Sequence, residues 1–221
     1  MDIPKDWTFK NKAVADEFDF HVRQQLPWYD LATGLVAHLV RHYLPQNGII
    51  YDIGCSTGNL EIALGDLPQK RNARFIPIDN SPEMVDLYQG KYNVIIDDAQ
   101  NITYEYFDVA VCFLCLMFLS VEDRKRLTEK LRDNVKRGGC VIIVDKTEMA
   151  AGYLATVLHR ATIAGKVASG APSDEIVAKE LSLAGIQRPL PNGYIERRFF
   201  TPIEIFRFGE FAGWIYTRDE W

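Results

Sequence analysis

The chain of 221 residues contains no uninterrupted apolar run near the roughly 18 residues that a membrane-spanning helix needs. Its longest candidate, residues 109–119, has the length of a buried strand and its exit loop. An excess of positive charge is also missing. The 25 basic residues face 30 acidic ones, a net charge of −5, which argues against phosphate contacts as the main mode of binding. Cysteines number four, too few to staple a chain of this length. Cys112 and Cys115 have the spacing of half a zinc or redox motif. No second pair and no nearby histidine accompany them, and they lie in the apolar run VAVCFLCLMFL, so they read as buried thiols and no metal site is expected. The first dozen residues hold no apolar signal segment, and a cytoplasmic location is expected. Repeats, low-complexity tracts and long linkers are absent. With 48% hydrophobic and 25% charged residues, what is present is the composition of a single folded domain.

Residues 13–26 predict a helix ended by Pro27. Leu31, Leu35, Leu39 and Tyr43 recur every four positions in 31–44 and predict a second helix buried along that stripe. Apolar runs at 49–53, 74–78, 93–96, 108–113 and 140–144 predict five buried strands. Helices are expected between them at 59–67, at 83–89 behind a Ser81 cap and Pro82, and at 120–136. The last should turn Leu127, Leu131 and Val135 inward and stop at Gly138-Gly139. Alternation through Ile203, Ile205 and Arg207, then Trp214–Tyr216, predicts an antiparallel pair turning near Gly209. Strand–helix alternation with apolar strands describes an open, doubly wound, mostly parallel α/β sheet of seven strands. The expected organisation is one domain over 1–221: a helical cap at 13–44, a ligand-binding core at 48–146, and covering helices with closing strands at 147–221.

Such sheets bind ligands at the carboxyl ends of their strands. Here those ends carry Asp52-Ile53-Gly54-Cys55-Ser56-Thr57-Gly58, Asp79-Asn80, Asp97-Asp98, Phe113 and Asp145-Lys146. The glycine loop is neither the dinucleotide fingerprint nor a phosphate-binding P-loop. Asp79 follows Gly54 by 25 residues, where an acid accepts hydrogen bonds from ribose hydroxyls. Asp98 is placed to accept from an exocyclic adenine amine. Taken singly, each acid is as well explained as a turn former ending a strand. Together with the loop they describe an adenosine site without a phosphate-binding device, and S-adenosylmethionine is adenosine without phosphate.

On these residues the chain resembles class I S-adenosylmethionine-dependent methyltransferases, with their Rossmann-like fold. More closely it resembles the carboxy-S-adenosylmethionine synthase group, which supplies a cofactor for tRNA wobble-uridine modification. Ala13–Leu44 with Pro27-Trp28-Tyr29, Tyr51–Ser56, Ile78–Met84, Leu116–Leu119 and Asp145-Lys146 carry the likeness, over roughly residues 13–185. The resemblance implies that Gly54, Cys55 and Ser56, with Asp52 and Gly58 in the same loop, hold the methionine and ribose moieties. It implies that Asp79 binds the ribose, that Asn80 and Met84 flank the adenine, and that Asp98 and Ala99 face its edge. Tyr29 would close over the methionine end; a core aromatic beside Trp28 is the alternative. Phe113 stands where that group has a cofactor-contacting Asn. Glu180, beside Lys179, stands where it has a carboxylate-binding Arg. An acid there repels a carboxylated sulfonium, which favours ordinary S-adenosylmethionine as the cofactor.

Neither an Asn/Asp-Pro-Pro-aromatic motif after the fourth strand nor a Pro-Cys nucleophile is present. Glu148, Tyr153, His159 and Arg160 follow the fifth strand and are the catalytic candidates. His21, His38 and His42 read as structural or surface residues. The cluster Arg124-Lys125-Arg126, interleaved with acids, reads as a solvated helix face rather than an RNA contact. The functional expectation is methyl transfer to an unidentified acceptor, either a small molecule or one in a tRNA pathway. A homodimer is left open, and no membrane or strong nucleic-acid partner is expected. The alternatives are a carboxy-S-adenosylmethionine synthase using prephenate, and a non-catalytic assembly partner that keeps the fold.

Overall fold

A computed structural model describes residues 3–148 and 151–218. Among these, β1 (Ile49–Ile53), β2 (Arg74–Asp79), β3 (Ile95–Ile96), β4 (Phe107–Phe113), β5 (Val135–Lys146), β6 (Ile203–Phe208) and β7 (Phe211–Thr217) form one sheet in the order β3-β2-β1-β4-β5-β7-β6. The first five are parallel, and β7 runs antiparallel to both β5 and β6. This is the class I methyltransferase sheet. Helices α1 (Lys12–Asp16), α2 (Phe18–Gln25) and α3 (Tyr29–Tyr43) precede it. Between strands lie α4 (Asn59–Leu64), α5 (Leu67–Lys70), α6 (Pro82–Val85) and α7 (Val121–Asn134). After β5 come α8 (Tyr153–Ala168), α9 (Ser173–Ser182) and α10 (Tyr194–Arg198).

The central strands are apolar throughout because both faces of the sheet are covered. Val109 and Val111 of β4 join Val36, Val40, Leu60 and Leu64 on one face. Ala110 and Cys112, pointing the opposite way, join Leu127, Leu131 and Ile195 on the other. A two-residue turn joins β6 to β7, with Gly209 at φ +57°, a conformation glycine adopts without steric cost.

Several local expectations give way to tertiary contacts. The helix expected over 13–26 breaks at Glu17, with φ −101° and ψ 0°. The stripe expected to bury α3 is displaced: Leu31 is 75% exposed, whereas Ala32, Val36 and Val40 are buried. Small and β-branched residues face the sheet because they let the helix approach it closely. The helix expected over 83–89 ends after one turn. Gln89 donates its backbone N–H to Thr57 O at 3.0 Å, and the Tyr88 hydroxyl donates to Glu61 Oε2 at 2.6 Å, which draws the chain back toward the β1 loop. Helix α7 stops at Asn134, before the glycine pair. Gly138 and Gly139 lie inside β5, beside the irregularity in its pairing with β4. A Cβ on Gly139 would stand 2.5 Å from Asp108 O, so a close approach of backbones requires the glycine there.

Candidate active site

The carboxyl ends of the strands open into a cavity of about 230 Å³. Gly54, Cys55, Ser56, Asp52, Asp79, Asn80, Met84, Ala99, Phe113 and Tyr29 all line it. Asp98 and Gly58 are not among its lining residues; Asp97 is. Asp98 instead accepts from Asn80 Nδ2 at 2.8 Å and so fixes a residue that does line the cavity. Gly58 begins α4 and abuts the Tyr88 ring.

The loop after β1 is shaped by Asp79. Its Oδ2 accepts the Ser56 N–H at 2.8 Å, and its Oδ1 accepts the Ser81 N–H at 3.0 Å. A carboxylate has about four acceptor positions, so two such bonds leave room for ribose hydroxyls. Burial raises the Asp79 carboxyl above its ordinary value. Gly54, at φ +72°, packs its bare Cα against Cys115, whose Cβ would lie 3.1 Å from any Cβ added there. Cys115 is a wall of the cavity, and burial pushes the thiols of Cys55, Cys112 and Cys115 up. No cluster able to hold a metal ion occurs among the described residues.

Asp52 is a buried acid in the cavity wall. Its carboxyl is 2% exposed, and Oδ2 has no hydrogen-bond partner. Burial, reinforced by the negative charges of Asp79 and Glu61, pushes it up to about 8. The Ser56 hydroxyl and the Gln25 amide, also on the cavity wall, are likewise buried and unpartnered. A buried acid without a partner is costly unless a cation answers it. A cationic ligand with hydroxyl and amine groups fits this wall, and S-adenosylmethionine is such a ligand.

The far end of the cavity is lined by Lys146, Lys166, Lys179, Glu180, Gln187 and Glu210. Lys166 pairs with Glu180 at 2.8 Å, and Lys146 lies 3.3 Å from Glu210 and donates to Gln187 Oε1 at 2.9 Å. Lys179 has no ion-pair partner among the described residues; its ammonium lies 3.9 Å over the Trp7 ring. Burial, and next the charge of Lys166, lower Lys179 to about 7. Across β2, β1, β4 and β5 there are three interstrand steps of ~4.8 Å, so Asp79 and Lys146 stand ~14 Å apart along the sheet edge.

The roof comes from the N-terminal segment and the cap. Trp7 donates its backbone N–H to Ser182 O at 3.0 Å, and Ser81 Oγ donates to Phe9 O at 2.8 Å. Trp7 stacks on His21, which is buried and lowered to about 3, by burial first and then by the charge of Lys179. Tyr29 meets Phe113 edge-on at 5.4 Å between centroids and is buried, with its ring in the cavity wall. Trp28 packs away from the cavity, on Phe206 and Phe211.

The structure does not bring the catalytic candidates to the cavity. Tyr153 is 77% exposed, and Glu148, His159 and Arg160 are exposed as well; none lines the cavity. On α8 it is Lys166, one of its two buried residues, that reaches inward. The helix face that looked solvated is also only partly so. Arg124 is 1% exposed and donates to the carbonyls of Leu116, Leu119, Arg188 and Pro189. Lys130 donates to Gln100 O and Ile102 O at 2.8 and 2.7 Å. Gln25, Thr33 and Glu210 are cavity residues that no sequence motif flagged, whereas Asp97 and Lys146 were visible as strand ends.

The sheet order is that of the class I S-adenosylmethionine-dependent methyltransferase fold, with the glycine loop held by Asp79 at its carboxyl edge, and the chain is similar to enzymes of that class. Residues 50–139 match the family described as "Methyltransferase domain". The carboxy-S-adenosyl-L-methionine synthase of Staphylococcus epidermidis is 28% identical over 225 residues, covering 97% of this chain and 98% of that protein. The enzyme of the same name from Wolinella succinogenes is 29% identical over 232 residues, covering 99% and 96%. Among solved structures, an S-adenosylmethionine-dependent methyltransferase from Clostridium acetobutylicum shares the fold with a TM-score of 0.58 at 12% identity, covering 92% of this chain and 98% of that one. Among the described residues no helix is long and apolar enough to cross a membrane.

Proposed function

We propose that the protein binds S-adenosylmethionine at Asp52, Gly54–Ser56 and Asp79 and transfers its methyl group to a small acceptor held inside the same cavity. The observation that carries this reading is the single cavity running from an adenosine-binding edge to a lysine-lined end under one aromatic roof. The cofactor supplies an electrophilic methyl on a sulfonium. The protein's part is to align the acceptor with the carbon–sulfur bond and to keep water out. Trp7, Phe9 and Tyr29 close the site, and Phe113 faces the ligand at the end of β4. An acceptor covered by these side chains is a molecule of metabolite size. Lys146 and Lys166 are answered by Glu210 and Glu180, and Lys179, lowered to about 7, supplies a further positive charge when protonated, which suits an acceptor with an anionic group.

A second reading is favoured by one specific observation. Glu180, the acid that argued against a carboxylated cofactor, is neutralised by Lys166, and the neighbouring Lys179, held over the Trp7 ring, has no ion-pair partner among the described residues. Lys179 is therefore available to a carboxylate. The two synthases are similar to this chain through the cap and the C-terminal third as well as the core. Under this reading the product is carboxy-S-adenosylmethionine. Mass spectrometry of the small molecule released from natively purified protein separates the two. S-adenosylmethionine or its demethylated product supports methyl transfer; a mass greater by one carboxyl group overturns it in favour of the synthase. Empty protein that gives a flat calorimetric titration with both unmodified compounds refutes the cofactor assignment.

A further inference from the structure

We propose that Asp19 is a positioning residue that latches the helical cap onto the cofactor loop and gates entry to and exit from the cavity. The inference rests on the reading that the cavity holds S-adenosylmethionine or its demethylated product. Asp19 lies in the first turn of α2. Its Oδ1 accepts from Thr57 Oγ1 at 2.8 Å and from Asn59 Nδ2 at 2.8 Å, and its Oδ2 accepts from Gln89 Nε2 at 3.2 Å. Thr57 and Asn59 directly follow the Gly54–Ser56 turn, and Gln89 is itself bound through its backbone to Thr57. One carboxylate thus joins the cap to two segments that are 38 to 70 residues away in sequence.

Arg23, one helical turn on, extends the latch. It lies 3.5 Å from Asp19, donates to Asn59 Oδ1 at 3.0 Å, and donates to both oxygens of Asp30 at 3.0 and 3.1 Å. Its guanidinium carbon lies 5.4 Å from the centre of the Tyr29 ring, which is part of the cavity wall. The network therefore couples the glycine loop to a roof residue. Asp19, Arg23, Thr57 and Gln89 do not line the cavity, so the latch acts on a ligand only through the elements that it joins. Hydrogen bonds to an ionised acceptor are stronger than neutral ones.

The latch bonds connect protein to protein and include no ligand atom. They stabilise the closed cap to the same degree whether or not the cavity is occupied. Weakening them should speed association and dissociation together and leave the equilibrium constant nearly unchanged. A residue that merely shapes the site would raise the dissociation rate alone.

The test is stopped-flow binding of S-adenosylhomocysteine to the full chain, comparing wild type with Asp19→Ala and the milder Gln89→Ala. For Asp19→Ala both rate constants should rise about tenfold, equivalent to ~1.4 kcal/mol, with Kd within about threefold of wild type. Gln89→Ala should move both rates the same way by a smaller factor, and it keeps the proposal testable if Asp19→Ala does not fold. Unchanged rates in the folded variants overturn the latch. So does a faster dissociation with unchanged association. A wild-type chain that does not bind S-adenosylhomocysteine refutes the cofactor reading itself, a different failure from wild-type binding with variant kinetics unaltered.

Discussion

Asp52 makes cofactor binding depend on pH in a way that can be worked out beforehand. Its carboxyl is pushed up to about 8 by burial and by the neighbouring charges of Asp79 and Glu61. Without a ligand it is therefore mostly protonated at neutral pH. A ligand ammonium or sulfonium beside Oδ2 favours the ionised form, so binding must expel the proton. If the ionised form is required, affinity falls about 50-fold between pH 8 and pH 6, because each pH unit below the titration point costs up to tenfold. The assay is calorimetric or fluorescence titration with S-adenosylmethionine from pH 6 to pH 8, on wild type and Asp52→Asn. Lys179, lowered to about 7, titrates in the same window, and the Asn variant separates the two. Asp52→Asn should bind more weakly at pH 8 and lose most of the slope. The linked stability has a definite sign. The folded value lies above the ordinary 3.8, so between about 4 and 8 the folded protein holds a proton that the unfolded chain has released. Stability from this group thus falls as pH rises through that range, and Asp52→Asn should gain in Tm relative to wild type as pH increases. A flat wild-type binding profile, or an Asn variant that keeps the slope, would refute the assignment of the cationic end of the ligand to Asp52.

Three further outcomes follow from the geometry. Gly54→Ala forces an alanine to φ +72°, which costs ~1–2 kcal/mol, and sets a Cβ against Cys115; thermal melting should register the loss and S-adenosylhomocysteine affinity should drop at least tenfold. Arg124→Met leaves four buried or part-buried carbonyls without this donor and should lower unfolding free energy by ~3 kcal/mol in urea titration; a change near zero would contradict a structural role. Lys166→Met strands Glu180, whose burial is at present outweighed by the charge of Lys166 and its hydrogen bond, so that its carboxyl sits below the usual range. That lowering stabilises the fold above the ordinary carboxylate range and is lost in acid. The destabilisation by Lys166→Met, on the order of 1 kcal/mol, should therefore be larger at pH 7 than at pH 4 when both are measured by denaturant unfolding.

Sequence patterns were reliable where a local rule operates. Buried strands declare themselves as apolar runs, which is why β1, β2, β4 and β5 stand close to where they were read, and the Gly209 turn announced the closing antiparallel pair. Asp79 and the Gly54–Ser56 loop were legible for the same reason, since strand ends in a doubly wound sheet occur in order along the chain. The helix surfaces were less legible. Leu31 continues the apolar period of α3 but faces outward, because the period marks apolar residues and cannot say which side of a helix another element will cover. Residues 153–160 follow a strand end and carry suitable chemistry, but the rotation of α8 sends Lys166 inward and leaves Tyr153, His159 and Arg160 outside.

The succession of strands along the chain, the glycine loop and the acid at the end of β2 were legible in the sequence alone, because each depends on residues within a few positions of a strand end, whereas the order of the strands across the sheet came from the tertiary structure. The opposite charge balance at the two ends of the cavity was decided only by tertiary structure. Whether Glu180 repels an anion or is neutralised depends on Lys166, 14 residues away on another helix, and whether Asp19 is an ordinary surface acid or a tie to the cofactor loop depends on Thr57, 38 residues away. Charges interact through space and are screened by whatever surrounds them, so a side chain's electrostatic role belongs to the folded neighbourhood and not to its place in the chain.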